Sequence, residues 1–249
     1  LKDNFAYLLI CQKTGEAAVV DPSEADPVRK EINHNNVKLT TILNTHHHWD
    51  HVGGNNELKS DYPELKIYGH SSDRGRIPDQ TEFLEDGDNV MFGEQSGSFL
   101  FNPGHTSGAI TYLFGKNAFT GDTLFAAGCG RIFEGTPEQM HDSLNNRICK
   151  LPDHTQVYFG HEYTENNLRF ALNVEAGNSK IKKKLADVKG LRSSGHFSTP
   201  TTIAEEKQTN PFLRCNSDEI KGAVKLKDPE HDLTEKEVFR TLRELKDVF

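Results

Sequence analysis

At 249 residues the chain is long enough to bury a substantial core, either as one large domain or as a domain with an appendage. Its net charge of -8 at pH 7 argues against a surface built mainly for nucleic acid or anionic membrane, and no apolar run approaches the roughly 20 residues that a membrane-spanning helix needs. Four cysteines, Cys11, Cys129, Cys149 and Cys215, include no C-x-x-C pair and read as reduced thiols.

The opening Leu1-Lys-Asp-Asn4 has the character of neither a secretory signal nor an Arg-rich transit peptide. A cytoplasmic protein is expected, with a mitochondrial form if a precursor carries a transit peptide. The chain then enters the strand-like run Ala6 to Cys11 almost at once, which suggests that an earlier strand is missing. Glu16 to Val20 follows across Gln12-Lys-Thr-Gly15, a hairpin signal. That second strand ends in Asp21-Pro22, and an Asp there either begins a turn or orients a metal-bound histidine from behind. Ser23 to Asn35 reads as a helix, capped by Ser23, with Pro27 in its first turn and Val28 and Ile32 four apart. Leu39 to Asn44 is β-branched and apolar, so the order strand, strand, helix, strand predicts layered sheet and helix rather than a bundle.

Out of that buried strand comes Thr45-His-His-His-Trp-Asp-His51, followed by Val52-Gly53-Gly54, where the backbone can turn sharply. His46, His48, Asp50 and His51 are four potential metal ligands within six residues. In extended chain, residues two apart share a face about 6.6 Å apart, a gap that two imidazoles close around one ion, as His46 and His48 would. Asp50 and His51 are adjacent, face different ways, and are placed to serve a second ion. Trp49 is expected to pack behind the loop, and His47 to lie behind the ligands or face solvent.

From Tyr62 to Phe119 short strands are predicted at Leu65 to Tyr68, Gln80 to Leu84, Asn89 to Phe92, Ser98 to Asn102, Ile110 to Phe114 and Asn117 to Thr120. Two of the strand ends carry a ligand-type residue beside glycine: His105 in Pro103-Gly-His-Thr-Ser-Gly108 and Asp122 in Thr120-Gly-Asp-Thr123. The strand Gln156 to Phe159 delivers a third, His161 in Gly160-His-Glu162. Each alone is ordinary turn chemistry, but its recurrence is not. Pro137 to Lys150 reads as a helix on the spacing of Met140, Leu144 and Ile148. After Tyr163 strand patterns vanish, and helices are predicted at Glu165 to Val174, Ser179 to Val188, Ile203 to Gln208 and Thr234 to Val248, the last with Glu237 in capping-box position. A boundary therefore falls between residues 1–163 and a smaller helical domain, 164–249. The basic run Lys180-Ile-Lys-Lys-Lys184 reads as a solvated helix face.

Seven candidate ligands, His46, His48, Asp50, His51, His105, Asp122 and His161, are too many for one tetrahedral zinc ion. They suit two divalent ions, with Asp122 as the bridge because a carboxylate offers two oxygens. The lack of thiolates in these loops speaks against a closed structural site. Such a centre activates water near neutral pH and polarises a carbonyl or phosphoryl oxygen, so hydrolysis is the expected reaction class. Zinc is the first expectation, and iron or manganese suit the same donors.

These motifs resemble the metallo-β-lactamase superfamily and, within it, the glyoxalase II (hydroxyacylglutathione hydrolase) family. The narrower resemblance rests on Thr45-His-His-His-Trp-Asp-His-Val-Gly-Gly54, Pro103-Gly-His-Thr-Ser-Gly108, Thr120-Gly-Asp-Thr-Leu-Phe-Ala-Ala-Gly-Cys-Gly130, Gly160-His-Glu-Tyr-Thr164 and Asn210-Pro-Phe-Leu213. It covers essentially the whole chain. It implies an α/β fold, the αββα sandwich, followed by an all-helical substrate-binding domain. It also implies one metal on His46, His48 and His105 and another on Asp50, His51 and His161, bridged by Asp122 and a hydroxide that attacks the substrate. The substrate implied is S-D-lactoylglutathione, cut to D-lactate and glutathione in the second step of methylglyoxal detoxification, and the thiolate leaves without a strong general acid.

By the same similarity Arg131, Arg243 and Lys246 hold the anionic tripeptide, Arg243 acting chiefly on KM, and Tyr163 donates a hydrogen bond. Arg131 and Phe133 stand where the family commonly has Lys and Tyr, which implies weaker affinity or broader specificity. A monomer is expected, with no nucleic-acid or membrane partner. The alternatives are an iron persulfide dioxygenase of the same superfamily, a nuclease, and a catalytically silent binding protein on this scaffold.

Overall fold

The computed structural model describes residues 1–227 and 233–249. In its first sheet, β1 (Tyr7–Ile10) and β2 (Glu16–Val20) form the predicted antiparallel hairpin, and β3 (Lys38–Leu43), β4 (Lys66–His70) and β5 (Glu82–Leu84) add in parallel, in chain order. The second sheet begins as an antiparallel meander of β6 (Val90–Phe92), β7 (Gln95–Phe101), β8 (Ile110–Phe114) and β9 (Asn117–Gly121). After a two-residue ribbon of β10 (Leu124–Phe125) and β11 (Gly128–Cys129), β12 (Gln156–Phe159) joins parallel to β9, and β13 (Thr201–Thr202) pairs with β12.

Alternation of side chains along these strands decides the layers. Ala18, Val20 and Leu43 face Ile110, Tyr112 and Phe119 between the sheets. Their neighbours Val19, Leu39 and Ile42 point the other way, onto α1 (Ala25–Asn35), the short helix α2 (Trp49–Val52) and α3 (Asn55–Asp61), through Val28, Val52 and Leu58. The outer face of the second sheet carries α4 (Pro137–Asp142) and α5 (Thr164–Val174), on which α6 (Ser179–Ser193) packs. α7 (Ile203–Thr209) runs on from β13, and α8 (Asp218–Lys227) and α9 (Glu235–Asp247) complete this layer. Phe170, Val224, Phe239 and Leu242 join Leu124 and Val157 in one apolar cluster, so the C-terminal helices are fastened directly onto the second sheet. The order is helix, sheet, sheet, helix.

Several local expectations are revised. Ser23 does not cap α1: the capping position is Glu24, with no side-chain bond, and the Ser23 hydroxyl donates instead to the Asp50 carbonyl at 2.5 Å. The helix expected over Pro137 to Lys150 widens into a π-turn at Ser143–Arg147 and tightens into a 3-10 turn at Ile148–Lys150, while Met140, Leu144 and Ile148 stay buried as their spacing requires. α3 was hidden because Leu58 is its one buried apolar residue, too few for a period. β13 is too short to carry one.

Gly53 and Gly54 make the turn between α2 and α3, both in the right-handed region, at φ -61° and -83°. They are needed for close approach. A Cβ on Gly53 would lie 2.6 Å from the Ser23 carbonyl oxygen and 2.9 Å from that of Trp49, both fixed backbone atoms. Gly53→Ala is therefore expected to cost about 1–3 kcal/mol, the usual range for overpacking. Thermal unfolding followed by circular dichroism would register it as a lower Tm, and an unchanged Tm would show that α2 moves freely.

Candidate metal centre

Strand direction brings the ligand-bearing loops together. β2 and β3 run parallel, β9 and β12 run parallel, and β7 matches β9 through two antiparallel steps across β8. Asp21, His46, His105, Asp122 and His161 thus all leave carboxyl ends of strands on one edge of the sandwich. His48 precedes α2, whose first turn carries Asp50 and His51.

Two triads result. His48 Nδ1 lies 3.2 Å from His46 Nε2 and 3.0 Å from His105 Nε2. His51 and His161 approach Nε2 to Nε2 at 3.2 Å, with Asp50 Oδ2 at 3.8 and 3.4 Å from them. Asp122 stands between: its Oδ1 is 3.4 Å from His51 Nε2, and its Oδ2 is 3.2 Å from His161 Nε2 and 3.6 Å from His105 Nε2.

The outer ring nitrogens decide what the inner ones can do. His51 Nδ1 donates to Asp21 Oδ2 at 3.0 Å, His161 Nδ1 to Asp3 Oδ1 at 3.2 Å, and His105 Nδ1 to the Arg131 carbonyl at 2.7 Å. Thr45 Oγ1 donates to Asp21 Oδ2 at 2.6 Å and so accepts from His46 Nδ1 at 3.0 Å. In each neutral ring the proton is outside and the Nε2 lone pair points inward. Inward lone pairs this close repel unless a cation lies among them. Their spacing approaches the edge of about 3.4 Å expected for ligands about 2.1 Å from a tetrahedral ion. Asp122 Oδ1 is also buried without a hydrogen-bond partner. Imidazole and carboxylate donors in this arrangement fit divalent metal ions.

The electrostatics divide the histidines into two sets. Burial, reinforced by His51 and His105, holds His46 well below the usual imidazole value; burial also lowers His105, and it takes His48 down to about 4. Burial opposes charge on His51 and His161 as well, but Asp122, joined by Asp21 at His51 and by Asp3 at His161, outweighs it and raises both. For Asp122 itself the two histidines overcome burial and keep the carboxyl well below its ordinary value, so it is an anion at neutral pH. Asp21, at φ 47°, accepts from Thr45 N at 2.8 Å besides Thr45 Oγ1 and His51. It stands behind the candidate ligand His51, and its left-handed backbone is tolerable for an Asp.

A cleft of about 900 Å³ opens over this centre. Phe133 turns its ring edge-on to His48 and His105, at 5.6 and 5.3 Å, and Tyr163 stacks on His161 at 4.8 Å. Arg131 is exposed beside Asp247, and the half-buried Lys246 lies over the Phe170 and Phe249 rings. Burial, with Arg243 next to it, lowers Lys246 to about 8.

Three residues depart from expectation or refine it. Trp49 does not pack behind its loop; it is 71% exposed at the cleft, because α2 is a single turn that turns its first residue outward. Arg243 borders the cleft but is only 5% exposed, and its guanidinium donates to the Cys129 carbonyl at 2.7 Å and to Asp247 at 3.0 Å. His47 lies behind the ligands, with Nδ1 3.1 Å from the buried Asp73 and Nε2 3.3 Å from Glu134. Glu134 pairs with Arg76 and accepts from the Ser107 amide and hydroxyl, so this cluster links the His46 loop to the His105 loop. Asp3, Asn4, Asp73 and Glu134 were not anticipated. No spacing connects them to the ligands, and only the Asp3-Asn4 pair, just ahead of a strand, offered a signal.

Residues 3–161 match the family model described as the metallo-beta-lactamase superfamily, and residues 162–249 match hydroxyacylglutathione hydrolase C-terminus. The chain is 48% identical over 251 residues to a hydroxyacylglutathione hydrolase of Synechococcus sp. (strain JA-2-3B'a(2-13)), covering 100% of this chain and 97% of the relative. It is 47% identical over 256 residues, with the same coverage, to one from Rippkaea orientalis. Among solved structures it resembles TTHA1623 in a di-iron-bound form, at 25% identity and a TM-score of 0.59, over 84% of this chain and 95% of that one. With the helix, sheet, sheet, helix order and the paired triads already in place, the chain belongs to the hydroxyacylglutathione hydrolase family of the metallo-beta-lactamase superfamily.

Proposed function

We propose that this protein hydrolyses S-2-hydroxyacylglutathione thioesters, S-D-lactoylglutathione foremost, to glutathione and the 2-hydroxy acid. His46, His48 and His105 would hold one divalent ion, Asp50, His51 and His161 a second, and Asp122 would serve both. What carries it is Asp122, a buried anion within 3.2 to 3.6 Å of histidines from both triads, at the floor of an open cleft. Bound there, two divalent ions supply Lewis acidity toward a carbonyl oxygen and toward water.

The chain's own residues do the rest. Phe133 covers one side of His48 and His105 and limits solvent access from there. Tyr163, its hydroxyl pushed up to about 12 by burial and by Asp3, stays protonated and serves as a donor to the substrate peptide. Arg131 and Lys246 make one wall of the cleft positive in a chain of net charge -8, which is where the glutathione carboxylates belong. The departing thiolate needs little help near neutral pH, since a free thiol has a pKa of about 8.5. Residues 1–163 form the catalytic part and 164–249 the substrate-binding part. Zinc is the proposed metal, with iron and manganese as alternatives that the same donors accept. The protein acts as a monomer in the cytoplasm, where its four unpaired cysteines stay reduced.

Metal analysis of the purified protein, together with release of free thiol from S-D-lactoylglutathione, tests this. The expected result is two divalent ions per chain and thiol release. Two ions without release would point to another acyl thioester, and oxygen uptake on glutathione persulfide would replace hydrolysis with dioxygenase chemistry.

Lys246 adds a pH dependence. A lysine lowered to about 8 is a cation below that pH and loses its charge above it. KM is therefore expected to rise about threefold to tenfold between about pH 7 and pH 9, the worth of roughly 1 kcal/mol of partly screened attraction. Lys246→Met should show the higher KM already at pH 7 and no further rise. A wild-type KM flat across this range would remove Lys246 from the substrate site.

A further inference from the structure

Asp3 and Asn4 belong to neither triad, yet each grips a member of the same one. Asn4 Nδ2 donates to Asp50 Oδ2 at 3.1 Å and to the Asp50 carbonyl at 2.9 Å. Asp3 Oδ1 accepts from His161 Nδ1 at 3.2 Å. The backbone holds this segment in place: the Phe5 amide donates to the Gly160 carbonyl at 2.8 Å, the Glu162 amide donates to the Asp3 carbonyl at 3.0 Å, and Asn4 bridges His161 in antiparallel register. Tyr7 adds a hydroxyl bond to the Phe159 carbonyl at 2.6 Å. The segment therefore makes one antiparallel bridge to the loop that carries His161.

Its chemistry is specific. The Asn4 amide fixes the rotation of the Asp50 carboxylate, so that Oδ2 remains the oxygen facing His51 and His161. Asp3 holds the proton of His161 on Nδ1, which keeps Nε2 free and makes it a more basic donor. The other triad is braced elsewhere: His46 by Thr45, His105 by the Arg131 carbonyl, and their loops by His47 with Asp73 and Glu134. Among the described residues, the Asp3 and Asn4 side-chain bonds to the site go only to Asp50 and His161.

We propose that Asp3 and Asn4 are positioning residues that set the affinity of the Asp50, His51 and His161 site alone, so that one ion of the pair depends on the N-terminal segment and the other does not. The inference rests on the two-ion reading above. Wild-type protein, Asp3→Ala, Asn4→Ala, Asp3→Asn and the control Lys2→Ala are loaded with zinc and dialysed against graded chelator, and zinc per chain and Tm are measured. In Asp3→Ala and Asn4→Ala one ion is expected to bind about 10- to 100-fold more weakly, the usual effect of losing a partner behind a ligand, while the other is unchanged. Asp3→Asn, which keeps an acceptor for His161 Nδ1, should fall between them and wild type, and Lys2→Ala should match wild type. Asn4→Ala should also weaken the ion that remains in a His48→Ala background and leave untouched the one that remains in a His161→Ala background. Variants that hold both ions as firmly as wild type, or weaken both equally together with a fall in Tm, overturn the inference. A wild-type chain that holds fewer than two ions fails the two-ion reading itself, and this inference with it.

Discussion

Asp122→Ala is expected to lower kcat for thioester hydrolysis by more than about a hundredfold while leaving the chain folded. Losing a partner that merely orients a metal ligand costs about 10- to 100-fold in affinity or activity. Asp122 faces both triads directly, so its removal should exceed that range. Its carboxylate is also the anion that stands between the two triads, and without it the centre loses the charge that offsets two dications. The fold has less at stake, because Asp122 Oδ1 has no hydrogen-bond partner and the neighbouring strands β9 and β12 are paired through their backbones. Asp122→Asn separates charge from shape: the amide keeps one oxygen and nearly the same volume, and it should be almost as damaging. Zinc per chain, kcat and the circular dichroism spectrum measured on the same preparations would decide. Near-normal turnover in a folded Asp122→Ala chain would sink the mechanism.

The legible part of this protein was what short range writes into a sequence. Apolar strands such as Glu16–Val20 and Ile110–Phe114 lie where their patterns put them, and six of the seven candidate ligands fall into the two triads with Asp122 between them. The αββα order itself came from family resemblance, not from period. What the sequence concealed was long-range partnership. Asn4 meets Asp50, and His47 meets Asp73 and Glu134, only because the strand order folds distant loops onto one edge. Exposure does not follow residue type at two positions. Trp49 is apolar yet exposed, and Arg243 is charged yet buried, since residue type states a preference and the packing of the neighbouring elements decides.

Arg243→Ala is expected to act on stability at least as strongly as on KM, which reverses the emphasis that a charged residue on an amphipathic helix suggests. The guanidinium bolts α9 to the loop after β11: it donates to the Cys129 carbonyl at 2.7 Å and to Asp247 at 3.0 Å, and it lies 5.2 Å from the Phe212 ring centre. Truncation leaves a buried carbonyl unsatisfied and removes packing at the seam between the sheet and the helical layer. A buried acceptor left without its partner costs about 1–3 kcal/mol, and the lost packing brings the expected total to roughly 2–4 kcal/mol. For a chain of this size that corresponds to a fall in Tm of roughly 5–15 °C. The damage should reach the metal centre too, since two residues beyond Cys129 the Arg131 carbonyl holds His105 Nδ1. Arg243→Lys keeps the charge but not the forked geometry, and should recover less than half of the lost stability. Lys246→Met is the contrasting case, raising KM with little change in Tm. If Arg243→Ala raised KM with Tm within about a degree of wild type, Arg243 would be a substrate cation after all, and the seam would be held by its apolar cluster alone.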